Sequence, residues 1–164
     1  MKHPLRLRLR GLSATEGIAA VEFAIIGSVF LMILLGVVEF GYDWFLKHAI
    51  TNASRDGCRY GVMYRTDPAN PNNQIAPSSL TSPNRIEDVV SNYLRQVLPS
   101  DSTWTVTCSG AGYTSAKGED PANPGVKLPL TVTVSTTKTW SALGSMIPQL
   151  QDMTVTAQTV MLRE

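Results

Sequence analysis

Glu22 asks more of its surroundings than any other residue in this chain. It is the only charge from Ile18 to Val38, a run of twenty-one residues. A carboxylate placed in hydrocarbon costs roughly 2.5–3.5 kcal/mol on insertion scales, so it requires a polar or cationic partner. Gly17 stands immediately ahead of the run, and a glycine there leaves the backbone open to a second molecule. Elsewhere chemistry-bearing residues are sparse. His3 and His48 are the only histidines. His48 has Lys47 beside it and no nucleophile in any motif context. Glu39 and Asp43 lie four apart on one helical face. That like-charge pair reads as the exit of the apolar run into water, with a contact in an assembly as the alternative. Cys58 and Cys108 are the only cysteines. No phosphate loop, metal-spaced Cys/His set or paired catalytic carboxylate stands out, so the sequence predicts no enzyme, cofactor or metal. A membrane-tethered enzyme would have to be built on His48 alone.

The pentapeptide Asp-Pro-Ala-Asn-Pro occurs at Asp67–Pro71 and again at Asp120–Pro124. Asp and Asn ahead of Pro favour turns. Carboxylate and amide oxygens also suit Ca²⁺, but each loop offers one or two carboxylates and lacks EF-hand spacing, so turn chemistry is the simpler reading.

The elements that position these residues begin with the apolar run itself. Twenty-one residues at ~1.5 Å rise make a helix of about 31 Å, enough to cross a bilayer core. Lys2, Arg6, Arg8 and Arg10 crowd its N-terminal side. The positive-inside bias therefore places the N-terminus in the cytoplasm and the long remainder across the membrane. A cleaved signal peptide fits poorly, because its apolar core would be shorter, roughly 7–15 residues, with a small-x-small site after it. Here the run continues into Glu39-Phe-Gly-Tyr-Asp-Trp44. The whole chain carries a net charge of +1, and the residues after Gly17 carry −2. The basic residues thus argue topology, and no nucleic-acid partner is expected.

Beyond the span, Tyr42, Leu46, Ala49, Ala53, Gly57, Tyr60 and Tyr64 recur at helical spacing. Ala49, Ala53, Gly57 and Gly61 fall four apart, a row of small residues that lets another backbone or sheet approach closely. That groove either seats the domain's own sheet or contacts another subunit. Arg55, Asp56 and Arg59 read as a solvated face. Arg65 to Ser82 reads as a loop. A second helix follows, capped by Ser82 and Pro83 or by Asn84 with Glu87, its apolar stripe Ile86, Val89, Val90, Tyr93, Leu94 and Val97, with Pro99 closing it. Thr103 to Cys108 alternates as a half-buried strand. Ser109 to Gly125 reads as loop. Leu128, Leu130, Val132 and Val134 share one face of the strongest strand, where Pro129 signals an edge position or a late start. Trp140 to Leu150 is a connection anchored by Leu143, Met146 and Ile147, and Thr154 to Leu162 is the last strand. The fold class is α+β. A long N-terminal helix continues beyond the membrane as a spine and packs with a three-stranded antiparallel meander and a second helix.

Gly17-Ile-Ala-Ala-Val-Glu22-Phe23 resembles the processing site of type IV prepilins and pseudopilins. The wider run Glu16-Gly-Ile-Ala-Ala-Val-Glu-Phe-Ala, with Glu39-Phe-Gly and Ala53-Ser-Arg-Asp-Gly-Cys-Arg-Tyr-Gly61, is similar to the TadE-like minor pseudopilins of tight-adherence pilus systems. The likeness covers about residues 14–64. It implies a leader at 1–17, a transmembrane segment at 18–41 and a periplasmic domain at 42–164, in the bacterial inner membrane or drawn into a pilus. It also implies cleavage by a prepilin peptidase between Gly17 and Ile18. Ile18, Glu22 and Phe23 would then serve subunit assembly, the Glu22 carboxylate meeting the new Ile18 amine of a neighbour or of its own chain. The partners implied are other pilin or pseudopilin subunits, the peptidase, an inner-membrane assembly platform and lipid. An uncleaved single-span protein that scaffolds secretion machinery is the alternative. The topology puts Cys58 and Cys108 in an oxidising compartment, where one disulfide is expected, with two free thiols as the alternative. The closed loop of about 50 residues would be worth up to ~4 kcal/mol.

Overall fold

The computed structural model describes residues 14–63, 65–67, 69–139, 144 and 152–163. The basic residues Lys2, Arg6, Arg8 and Arg10, the end of the first helical stripe at Tyr64, and Trp140, Leu143, Met146 and Ile147 lie outside the described residues. The chain divides into two compact units at the Val38/Glu39 boundary.

Helix α1 runs Ala14–Val62 and passes from the first unit into the second. No proline interrupts it, and Arg59 in its last turn faces the negative end of the helix dipole. Its apolar stretch has mean hydropathy 2.6 over eighteen residues, none of them buried within the chain. It is the one helix among the described residues that is long and apolar enough to cross a membrane. Phe23, Ile33 and Val37 are 77%, 63% and 67% exposed, as expected of side chains that meet lipid rather than protein.

The second unit is built on an antiparallel sheet of β3 (Trp104–Ser109), β6 (Pro129–Thr139) and β7 (Asp152–Leu162), in that spatial order. This is the expected meander. Cys108 pairs with Val132 and Trp104 with Thr136, while Ala157 pairs with Val134 and Met161 with Leu130. The period-2 alternation turns Leu130, Val132 and Val134 inward, all fully buried, and leaves threonines on the other face. The second half of α1 supplies Leu46, Ala49, Ile50, Ala53 and Cys58 to the same core. Pro129, with no N–H to donate, occupies the first position of the central strand, so it marks a late start and not an edge.

Helix α2 (Ile86–Val97) follows the expected stripe, with Ile86, Val90 and Leu94 fully buried. Its start differs from the sequence reading. The N-cap is Arg85, whose backbone N–H bonds the Asp88 carboxylate three residues on at 3.3 Å. Asn84 instead closes a turn onto the Thr81 carbonyl, which leaves neither Ser82 nor Asn84 at the helix start.

The two stretches expected as loops contain short elements. Each copy of the Asp-Pro-Ala-Asn-Pro repeat turns a small hairpin: β1 (Thr66–Asp67) with β2 (Asn70–Gln74), and β4 (Glu119–Asp120) with β5 (Asn123–Lys127). The chemistry repeats with the sequence. Asp67 Oδ1 accepts the Ala69 N–H at 2.8 Å, and Asp120 Oδ1 accepts the Ala122 N–H at 2.9 Å. In both, the Asp pairs with the Asn three residues on. A 3-10 turn at Pro77–Ser79 and the one-turn helix α3 (Ala111–Thr114) complete the unit. Arg163, 3% exposed, donates to the carbonyls of Gly112 and Ser115 and so ties the end of β7 to the α3 segment.

Candidate functional site

The head of α1 carries the residues singled out for processing and assembly. Gly17, Ile18, Val21, Glu22 and Ile25 line one shallow apolar face, because i and i+4 positions stack on a helix. The structure therefore brings Ile18 and Glu22 together on that face. Phe23 is not among its lining residues and projects outward at 77% exposure. A Cβ built on Gly17 meets nothing within 4 Å, so the backbone there is open to approach. The side chain of Glu22 is exposed, with apolar neighbours along the chain.

The row Ala49, Ala53, Gly57 and Gly61 has a different fate. All four are buried in the second unit. A Cβ on Gly57 would sit 2.5 Å from Val90 Cγ2, and one on Gly61 would sit 2.4 Å from Leu130 Cδ2 and 2.6 Å from Ile86 Cδ1. The groove is thus filled by α2 and by β6 of the same chain. Of its two readings, the intramolecular seat is the one the fold adopts.

Sequence reasoning missed the contacts that fasten the sheet to α1. Lys138 Nζ lies 2.8 Å from Asp43 Oδ1 and donates to the Glu39 carbonyl at 2.9 Å. Asp43 is therefore more than an exit marker, since a cation from β6 sits on its carboxylate and on the Glu39 backbone carbonyl. The signal was available: Lys138 continues the inward parity of Leu130, Val132, Val134 and Thr136, so a cation there needs an anion. Farther along, Lys47 Nζ donates to the Thr156 carbonyl, and Ser54 Oγ and Thr159 Oγ1 hydrogen-bond at 2.7 Å.

Both cysteines are free thiols, and the expected disulfide is not formed. Their placement gives the reason. Cys58 on α1 hydrogen-bonds to the carbonyls of Thr159 at 3.1 Å and Leu130 at 3.7 Å, which puts it over the seam between β6 and β7. Cys108 is on β3, on the other side of β6, near Glu87. Burial, followed by the Glu87 carboxylate, pushes the Cys108 thiol from its usual 9.0 up to about 12, and burial raises Cys58 as well. Tyr113 Oη donates to Glu87 Oε1 at 3.3 Å, and its hydroxyl is raised by the same causes. A thiol whose folded pKa exceeds its unfolded one stabilises the fold fully below the unfolded value and loses that contribution as pH rises toward the folded one. Stability of the second unit is thus expected to hold through neutral pH and to fall above the 9.0 of the unfolded thiol. Thiol labelling near neutral pH should be slow in the native protein and should count two thiols after denaturation without reductant. Fewer than two would show a bridge.

His48 stacks edge-on against Trp44 at 5.3 Å between ring centroids. Among the described residues, no group of three His, Cys, Asp or Glu is placed to hold a metal ion. In the second repeat, Asp120 Oδ2 accepts the Asn123 amide at 2.9 Å, and these bonds hold its carboxyl below the usual range. The Asp120 oxygens are thus engaged in the turn itself.

Comparison with known proteins places one part of the chain. Residues 17–59 match the family model described as TadE-like protein. No curated protein and no solved structure matches the chain.

Proposed function

We propose, from the TadE-like character of residues 17–59, that this chain is a minor pseudopilin or assembly subunit of a tight-adherence pilus, made as an inner-membrane precursor and cut after Gly17. The observation that carries this reading is that the family match opens at residue 17, the residue ahead of the proposed cut, and that an exposed apolar helix follows it. The physical logic is direct. Glycine before the scissile bond puts no side chain in a peptidase cleft. Cutting there removes the basic anchor Lys2, Arg6, Arg8 and Arg10 that fixes the helix in the bilayer. A freed helix can then be lifted into an assembly. Its partners are other pilin-like subunits, the peptidase and an inner-membrane platform, with the second unit on the periplasmic side. We assign it no catalytic step of its own.

The N-terminal sequence of protein taken from its native membrane tests this. Ile18 is expected as the first residue, and Gly17→Val is expected to abolish processing and leave the full-length precursor. An intact Met1 terminus on wild-type protein, in cells that contain the peptidase, would favour an uncleaved single-span scaffold instead.

A further inference from the structure

We propose that the second unit itself carries a lipid-binding surface: Phe40, Tyr42, Trp44 and Phe45 of α1, with Met153 of β7, enter the headgroup layer of a phospholipid bilayer. This rests on reading Ile18–Val38 as a membrane span. Four observations carry it.

The first is level. Asp43 is five residues past Val38, ~7.5 Å of helical rise. The polar layer on each side of a bilayer core is roughly 5–7 Å thick. The turn from Glu39 to Asp43 therefore lies within that layer or at its outer edge, and Trp44 and Phe45, ~9 and ~10.5 Å out along the helix, reach it through side chains that slant back toward the helix N-terminus.

The second is that the sheet reaches the same level. Lys138 sits on Asp43 and on the Glu39 carbonyl, and its cross-strand partner is Met153. The β6–β7 end of the sheet is thus held beside the first turns of α1 after the apolar run.

The third is the inversion of charge and apolar exposure. The charged Asp43 and Lys138 side chains keep 17% and 9% exposure and neutralise each other. Phe40, Trp44, Phe45 and Met153 stay 62%, 61%, 46% and 44% exposed. Asp152, next to Met153, is exposed and Glu39 half-buried, so the exposed surface at that end is mainly apolar with a carboxylate at its border.

The fourth is shape, and it selects the occupant. Phe40 packs with Trp44, at 6.4 Å between centroids, and Tyr42 with Phe45, at 6.2 Å. These pairs lie on different sides of the helix, so the rings form a collar rather than a stripe. A protein partner takes one side, whereas a bilayer surrounds the helix. Trp and Tyr favour the membrane–water boundary because the ring is apolar and its N–H or O–H stays wet.

The test uses the full chain in phosphatidylcholine vesicles, with a nitrobenzoxadiazole probe on Met153→Cys. The same probe on Val126→Cys, 53% exposed in the β4–β5 hairpin, and on Ile33→Cys in the apolar run supplies references. Cys58 is fully buried and Cys108 half-buried, so the introduced thiol labels first. Lipid spin-labelled at the headgroup is expected to quench the Met153 probe at least roughly twofold more than the Val126 probe. Equal, weak quenching at both positions, with the Ile33 probe quenched by acyl-chain spin labels, would overturn the proposal and leave the span intact. An Ile33 probe untouched by acyl-chain labels would overturn the span and the proposal with it. A Met153 probe that escapes lipid quenching but is shielded as protein density rises would also overturn it, in favour of a second copy at that end.

Discussion

Gly57→Val should unfold the second unit or cost it more than about 3 kcal/mol. The added Cβ would stand 2.5 Å from Val90 Cγ2 and 3.4 Å from both Ile86 Cγ2 and Val132 Cγ1. Val90, Ile86 and Val132 are fully buried, and β-branched Val90 has no alternative rotamer to retreat into. Overpacking of a filled core costs ~1–3 kcal/mol for small insertions, and here two further carbons follow the first. Gly57→Ala is a closer contest. Alanine regains about 1 kcal/mol of helix propensity, which partly offsets the collision, so a net loss of ~0–2 kcal/mol is expected. Val90→Ala should partly rescue Gly57→Val, because it removes the atom struck first. Gly41 is the control, with nothing within 4 Å of its built Cβ. Gly41→Ala should leave stability unchanged or raise it by up to ~1 kcal/mol. Urea titration of the full chain in detergent micelles, followed by tryptophan fluorescence, measures all four. A Gly57→Val midpoint equal to wild type would mean that the groove is not filled from within.

Glu22→Leu should leave insertion intact and lower incorporation into the assembly tenfold or more. Cleavage after Gly17 would create an α-amino group on Ile18, with a reference pKa of about 7.7–8.0 and so mostly cationic near neutral pH. At the edge of the apolar zone, a lone charge is costly and a paired one much less so. At 4 Å and an effective dielectric of ~20, the attraction approaches 4 kcal/mol before desolvation is subtracted. A net third of that is a tenfold preference for the register that joins one subunit's amine to its neighbour's Glu22. Because Ile18 and Glu22 share a helical face within one chain, the competing arrangement is internal pairing. Glu22→Gln separates charge from size and should behave like Glu22→Leu. Co-purification of tagged and untagged subunits from the membrane reads the outcome. A Glu22→Leu subunit that is cleaved and co-assembles like wild type would remove Glu22 from the contact.

Much of the fold was legible because its signals are local. The apolar run needed only counting, and the alternation at Trp104–Cys108 and Leu130–Val134 named the inward residues that the register then paired, while Leu128, expected on the same face, lies just ahead of the strand. The stripe from Ile86 to Val97 placed α2 to within a turn. What escaped was long-range or context-dependent. Arg85 as a helix cap has no composition signal, since the Asp88 carboxylate supplies the bond. The two repeat hairpins are shorter than any alternation pattern can reveal, although Asp and Asn announced the turns. The sequence left the thiols between a bridge and two free groups, because membership of one core does not fix that Cys58 lies over the β6–β7 seam and Cys108 on β3. At the candidate site, residue types and spacing put Ile18 and Glu22 on one face unaided, whereas the Lys138–Asp43 contact required knowing that two segments about a hundred residues apart meet.

The bond from Lys47 to the Thr156 carbonyl bears on solubility. β7 is an edge strand of eleven residues, and a long open edge is a template on which strands from other molecules can add. With an ammonium already on a mid-strand carbonyl, an incoming strand must break a charge-assisted bond to complete its ladder. A membrane-held protein meets its own copies at high local concentration and in a common orientation, the conditions under which runaway sheet growth is fastest. Lys47 thus holds the strand to its own helix and occupies an acceptor that an added strand would need.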